Sequence, residues 1–260
     1  GSSYRAGLAG PAGSDLYTIL CPSVEVMEYP RPAALGLHSR RREAFLEWLG
    51  RFKPTILHGI WPTHARLLGR LSGMLEVPYV LSFFSPPGQV SRVLSPFALA
   101  DGWIAATKPI AETLRVYAAD GPDRIITIPP GCYVEDACAC FAETGRQPSL
   151  VLIQPLSKVH EFEPFLRAVR HLLLDGHEFF LGILGSGRGE SAVRRRIRSL
   201  GLASMVSIVP MVESYRDVLC GADLFIRLKA KGRHDPSLLE AMSVGLAVAC
   251  CPDPVSSLLE

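Results

Sequence analysis

With 260 residues, 48% of them apolar and 20% charged, the chain has the composition of a globular protein and enough length for two ordinary α/β domains with separate cores. A formal net charge of +2 lacks the basic excess of a nucleic-acid-binding surface, so no nucleic-acid partner is expected. No stretch approaches the roughly 20 consecutive apolar residues that cross a bilayer.

From the N-terminus, AGLAGPAGS reads as a flexible Gly/Ala stretch without the apolar segment of a signal peptide, and a strand-like pattern is first legible near Tyr17, in YTILCPS. A helix is predicted over Ser39 to Arg51, a strand at TILHGIW from Thr55 and a helix over His64 to Leu75. Strands at YVLSFF from Tyr79 and GWIAAT from Gly102, a helix over Pro109 to Ala118 and a strand at RIITIPP from Arg124 complete a first α/β series. Residues 129–148 break the rhythm with PPG, cysteines and TGRQP, and read as a linker between a domain over 1–128 and one over 149–260.

The second series opens with SLVLIQP from Ser149 and a helix over Glu163 to Asp175. FFLGILG, a helix over Glu190 to Gly201, MVSIVP, a short helix over Tyr215 to Cys220 and DLFIRL follow. Strands alternating with helices imply parallel sheets. Seven cysteines, odd in number and without paired zinc-site spacing, read as reduced thiols, Cys138 and Cys140 included. Two arginine clusters, Arg40 to Arg42 and Arg194, Arg195, Arg196 and Arg198, read as solvated helix faces. Contact with anionic lipid or an acidic partner is their alternative reading.

The final block, DPSLLEAMSVGLAVAC, is the most informative. Asp235 and Pro236 read as N-cap and first helical residue, Leu238, Leu239 and Met242 as an apolar stripe, Gly245 as the stop, and Leu246 to Cys250 as a strand. This places the Glu240 carboxylate early in a helix that feeds a strand.

The block resembles the donor-binding signature of GT-B glycosyltransferases of family four, an E-x7-E motif ending in LLEAM, with Glu240 as the second glutamate. PTILHGIW, ADGWIAAT, IPPGCYV, LGILGSGRGE and GADLFIRL echo further motifs of that family in the same order. The resemblance implies two Rossmann-like doubly wound domains with a cleft between them. It also implies a retaining transfer from a nucleoside-diphosphate sugar to a glycan, lipid-linked or small-molecule acceptor, without cofactor or essential metal. A cytoplasmic location goes with it, with peripheral contact at the inner face of a membrane as a further reading. The family opens with a strand and glycine-rich loop and ends with helices that return to the first domain. Neither is legible here, so the first strand reads as missing and the C-terminal end as truncated.

Donor-binding residues follow from the same resemblance. Glu240 would accept the ribose hydroxyls, while the amides of Gly185, Ser186 and Gly187 and of Ser237 and Leu238 would meet the diphosphate. The chain departs from the pattern at several places. Gly232 stands where the first glutamate belongs, Pro155 and His160 stand where the phosphate-binding arginine and lysine belong, and Phe83, Phe84 and Ser85 fill the place of the sugar-side histidine. Lys158, two residues from the lysine position, is a further candidate donor-binding residue, Lys229, Lys231 and Arg233 are the candidate compensating cations, and His58 and His160 the candidate catalytic groups. Asp235 replaces a glycine, and its charge would oppose an anion at the helix start. These losses favour a rival reading, a non-catalytic GT-B protein that binds a nucleotide, glycan or partner. An NAD site fits the G-x-G but not the LLEAM helix, and the same helix argues against a nucleotide-sugar epimerase.

Overall fold

The computed structural model describes residues 4–10, 24–28, 39–87, 99–117, 121–132, 134, 141, 145–210, 216–228 and 234–251. Contacts group the chain into two compact units, Gly1–Ser82 with Val90–Ile104, and Phe83–Gln89 with Ala105–Glu260.

The first unit begins with strands β1 (Ala6–Gly10) and β2 (Val24–Glu28), a parallel pair in register from Ala6 opposite Val24 to Gly10 opposite Glu28. The sequence reading of AGLAG as a flexible stretch is therefore corrected. Alanine and glycine are poor strand formers by propensity, but here the helix packed against them makes small side chains a requirement. That helix, α1 (Ser39–Phe52), lays Trp48 and Phe52 over Gly7, where an added Cβ would sit 3.0 Å from both rings. Trp48 Nε1 also donates to Glu25 Oε1 at 2.7 Å, and Arg5 pairs with Glu25 at 2.6 Å. YTILCPS lies outside the described residues.

Strand β3 (Leu57–Gly59) leads through a 3-10 turn (Pro62–His64) into α2 (Ala65–Leu75) and β4 (Tyr79–Phe83). Helix α2 buries Ala65, Leu68 and Leu71, one face at three-residue spacing, and stops where Glu76 turns left-handed. Strand β5 (Gly102–Ala105), helix α3 (Lys108–Arg115) and strand β6 (Ile125–Thr127) follow. Thr107 caps α3 by accepting from the Ile110 amide. Strands β3 to β6 form one sheet in sequence order, with β3 parallel to β4.

The second unit carries the larger sheet. Its elements are β7 (Ser149–Ile153), α4 (Glu163–Leu174), β8 (Phe180–Leu184), α5 (Glu190–Ser199) and β9 (Val206–Val209). They continue with α6 (Arg216–Cys220), β10 (Leu224–Arg227), α7 (Pro236–Ser243) and β11 (Ala247–Cys250). The strand order is β11-β10-β7-β8-β9, parallel throughout.

Successive residues of a strand point to opposite faces, and this sheet uses both. Leu152, Leu181 and Ile183 meet α4 and α5 through Leu166, Val169, Val193 and Ile197 on one side. Val151, Ile153 and Phe225 meet α6 and α7 through Leu219, Leu238 and Ala241 on the other. Helices on both faces make the unit doubly wound, with the order reversing between β7 and β10. In such sheets the crevice at the carboxyl ends of the strands, at that reversal, is where ligands bind. No described helix is long and apolar enough to cross a membrane.

Candidate functional site

Helix α7 forms because Pro236 presets its first φ and Asp235 caps it, its carboxylate accepting from the Ser237 amide at 3.2 Å and the Ser237 hydroxyl at 2.7 Å. Gly245, at φ 78°, takes the left-handed position after the helix end. Leu238 and Ala241 fall on the core face, which leaves Leu239 and Glu240 turned toward a cavity of about 550 Å³. Its walls are Pro130, Gly131 and Cys132 from the segment after β6, Arg216 from α6, and His234, Pro236, Leu239 and Glu240 from α7 and its approach. All of them belong to the second unit.

The wall chemistry is mixed. Glu240 offers acceptor oxygens, while Arg216 brings a guanidinium whose Nη1 donates to Ser243 Oγ at 3.1 Å. The half-buried Cys132 thiol points at the Leu239 carbonyl at 3.9 Å. His234 is 6% exposed, and burial holds its imidazole below the usual histidine range against the opposing pull of Asp235. Such a cavity suits a polar ligand with hydroxyl donors for Glu240 and negative charge for Arg216.

Sequence reasoning assigned no role to Arg216 or His234. A signal existed for Arg216, because a cation in the first turn of a helix opposes the macrodipole and so marks a position held for another reason. None existed for His234, whose place on the wall follows from the packing of three separate segments.

The remaining predicted residues lie elsewhere. Ser237 is buried with its amide and hydroxyl engaged by Asp235, and the Leu238 side chain is core. Neither side chain lines the cavity. Asp235 does not line it either. It is buried against the first turn, where it caps the helix as the sequence predicts.

Gly185, Ser186 and Gly187 form the turn from β8 to α5, also at the carboxyl edge but outside this cavity. Their glycines serve close backbone packing. A Cβ on Gly185 would overlap the Gln154 carbonyl, and one on Gly187 would stand 2.6 Å from the Leu156 carbonyl oxygen. The Gly185 amide donates to the Val209 carbonyl at 3.0 Å, so it is not open to an anion as the sequence reading had it.

Lys158 is exposed at the start of a 3-10 turn (Val159–Glu161) on the loop that packs against those glycines, and His160 is exposed in the same turn. His58, at the middle of β3 in the first unit, holds Ser82 Oγ at 2.8 Å through Nε2, and burial lowers its pKa. Lys229, Lys231, Gly232 and Arg233 lie outside the described residues.

No protein-family model matches the sequence. No curated protein matches it. Solved structures do. A glycosyltransferase from Rickettsia africae ESF-5 shares 12% identity with the chain at a TM-score of 0.67, over 94% of this chain and 70% of that one. HepE from Anabaena in complex with UDP shares 14% identity at a TM-score of 0.70, over 94% of this chain and 73% of that one. The lipopolysaccharide outer core galactosyltransferase WaaB in its apo form shares 15% identity at a TM-score of 0.61, over 95% and 80%. These likenesses establish the fold, α/β of the GT-B type.

Proposed function

We propose that the chain is a glycosyltransferase of family-four type, which binds a nucleoside-diphosphate sugar and transfers the sugar to an acceptor with retention of configuration. The observation that carries this reading is Glu240, one turn into α7, on the wall of a cavity at the carboxyl edge of a doubly wound sheet. A carboxylate there accepts two vicinal ribose hydroxyls, and the wall set of Glu240 with Arg216 suits a molecule that has hydroxyls at one end and phosphates at the other. The HepE structures with UDP and with UDP-glucose support the same ligand class.

As the glycosidic bond breaks, negative charge grows on the departing diphosphate and must be met by cations and amides. No essential metal enters the proposal. The chain's own candidates are Arg216, Lys158 and the uncommitted amides of the 186–188 turn, with Lys229, Lys231 and Arg233 as sequence-level additions. His58 and His160 stay as candidates on the sugar side. The acceptor is a glycan, a lipid-linked sugar or a small molecule, and the setting is the cytoplasm, including the inner face of a membrane.

Calorimetric titration with UDP-, GDP- and ADP-glucose tests the reading, followed by NMR of the product anomer. One donor should bind, and Glu240→Ala should weaken it by roughly 1.5 to 3 kcal/mol, the range for hydrogen bonds to a charged group, without loss of folding. Unchanged affinity in that variant would remove Glu240 from the site. Donor binding without turnover would favour the non-catalytic GT-B protein, a reading that the absent first glutamate, arginine and lysine already motivate.

A further inference from the structure

Among the polar side chains of the cavity, His234 has no part in the ribose contact. Its backbone amide donates to the Phe84 carbonyl at 2.6 Å, and its ring lies against Phe84 with centroids 6.2 Å apart and planes tilted by 43°. His234 thus sits between that aromatic face and the cavity whose wall it helps to form. It is 6% exposed, and ring Nε2 has no hydrogen-bond partner among the described residues. A buried nitrogen left without a partner is costly, and such groups occur where a ligand completes them.

This inference rests on the nucleotide reading of the same cavity. We propose that His234 is a donor-binding residue that takes up one proton from solvent as a nucleoside-diphosphate sugar enters, and so supplies positive charge beside the diphosphate. The need is specific to this chain, which has Pro155 and His160 at the places of the phosphate-binding arginine and lysine.

The described groups around the imidazole set the balance. Asp235, the N-cap of α7, favours the charged ring, and Glu240 from α7, Arg216 from α6 and Cys132 from the segment after β6 are the other ionisable residues of the wall. The segment carrying Phe84 adds no charge within residues 83–87. Burial lowers the proton affinity of the ring more than Asp235 raises it. Two phosphate charges arriving beside it raise its proton affinity and tip it to imidazolium. No covalent bond forms or breaks in this step, and one proton moves from water to the ring.

A glycosylated nucleotide is the suitable probe, because its diphosphate is esterified at both ends and keeps a fixed charge through the histidine range. Whichever of UDP-, GDP- and ADP-glucose binds is titrated in two buffers of different ionisation enthalpy, from about pH 6 to about pH 8.5, a span that brackets histidine titration. The expected result is uptake approaching one proton per nucleotide, with affinity falling as pH rises. Uridine, guanosine or adenosine should bind without it. In His234→Gln and His234→Asn the uptake should vanish, with affinity unchanged at the alkaline end and about tenfold weaker at the acid end, a difference of roughly 1.4 kcal/mol. Donor binding by the parent without proton uptake overturns the proposal and leaves the nucleotide reading standing, as does uptake retained in both variants. No binding of any nucleotide sugar at any pH overturns both. If neither variant folds, proton uptake by the parent with the sugar nucleotide and not with the nucleoside decides the matter.

Discussion

Two aspartates, Asp101 and Asp223, solve the same problem in different sheets. Each follows an alanine, precedes a strand and pairs reciprocally with the first residue of a neighbouring strand. The Asp101 amide donates to the Tyr79 carbonyl at 3.0 Å while its carboxylate accepts from the Tyr79 amide at 2.9 Å. Asp223 repeats the arrangement with Ser149, at 2.8 Å in both directions. It also accepts from the Phe141 amide at 2.8 Å and from Arg146 at 2.6 Å. Burial pushes the Asp223 carboxyl up, but the two amides and Arg146 outweigh it and hold the group below the ordinary carboxylate value. A depressed folded-state pKa stabilises the protein above the unfolded carboxylate range, and that contribution is lost as pH falls through the lower, folded value. Asp223→Ala should therefore cost roughly 2 to 4 kcal/mol near neutral pH, as the loss of a buried and multiply hydrogen-bonded carboxylate does. Thermal unfolding of parent and variant across acid pH should show the gap narrowing as the pH falls. A gap that widens would remove the carboxylate form as its source.

At the scale of elements, the turn from β8 to α5 shows how a motif can be legible while its reason is not. G-x-G-x-G in the sequence suggests an anion cradle, but the structure first requires these glycines for backbone approach to residues 154–157. Leu156 donates to the Ser186 carbonyl at 3.0 Å, and the Gly189 amide donates back to the Leu156 carbonyl at 2.7 Å. Gly185→Ala forces a Cβ into the Gln154 carbonyl, and backbone is the partner least able to yield. The variant should lose about 1 to 3 kcal/mol, the range for overpacking, measured by denaturant unfolding. Stability equal to the parent would show that the two loops can separate at no cost. Helix α7 was legible throughout, from the Asp235 cap to Gly245, because capping is local chemistry between residues two or three apart. Strand β1 was not, since its glycines and alanines suit a strand only beneath Trp48 and Phe52.

At the scale of the whole molecule, the order β11-β10-β7-β8-β9 makes β7 and β8 inner strands covered on both faces, and β11 an edge. Amide exchange should be slowest over Leu150 to Ile153 and Leu181 to Leu184 and faster along Ala247 to Cys250, since opening a central strand requires breaking both ladders and both cores. Exchange at the edge as slow as at the centre would indicate that the β11 edge is covered. Most element positions followed from the sequence alone. Short β-rich apolar runs, the 3.6-residue stripe, proline at helix starts and glycine at stops are short-range signals, and they placed the strands of the second unit within a residue or two of where they lie. The GT-B fold was legible for the same reason, as a succession of such signals in a fixed order. Only tertiary structure decided which residues share a cavity. Pro130, Arg216, and the pair His234 and Glu240 come from three segments of the chain, and no periodicity couples those segments. It likewise committed the Gly185 amide to Val209 and left His234 Nε2 buried without a hydrogen-bond partner among the described residues, because each outcome depends on which segments pack against that residue.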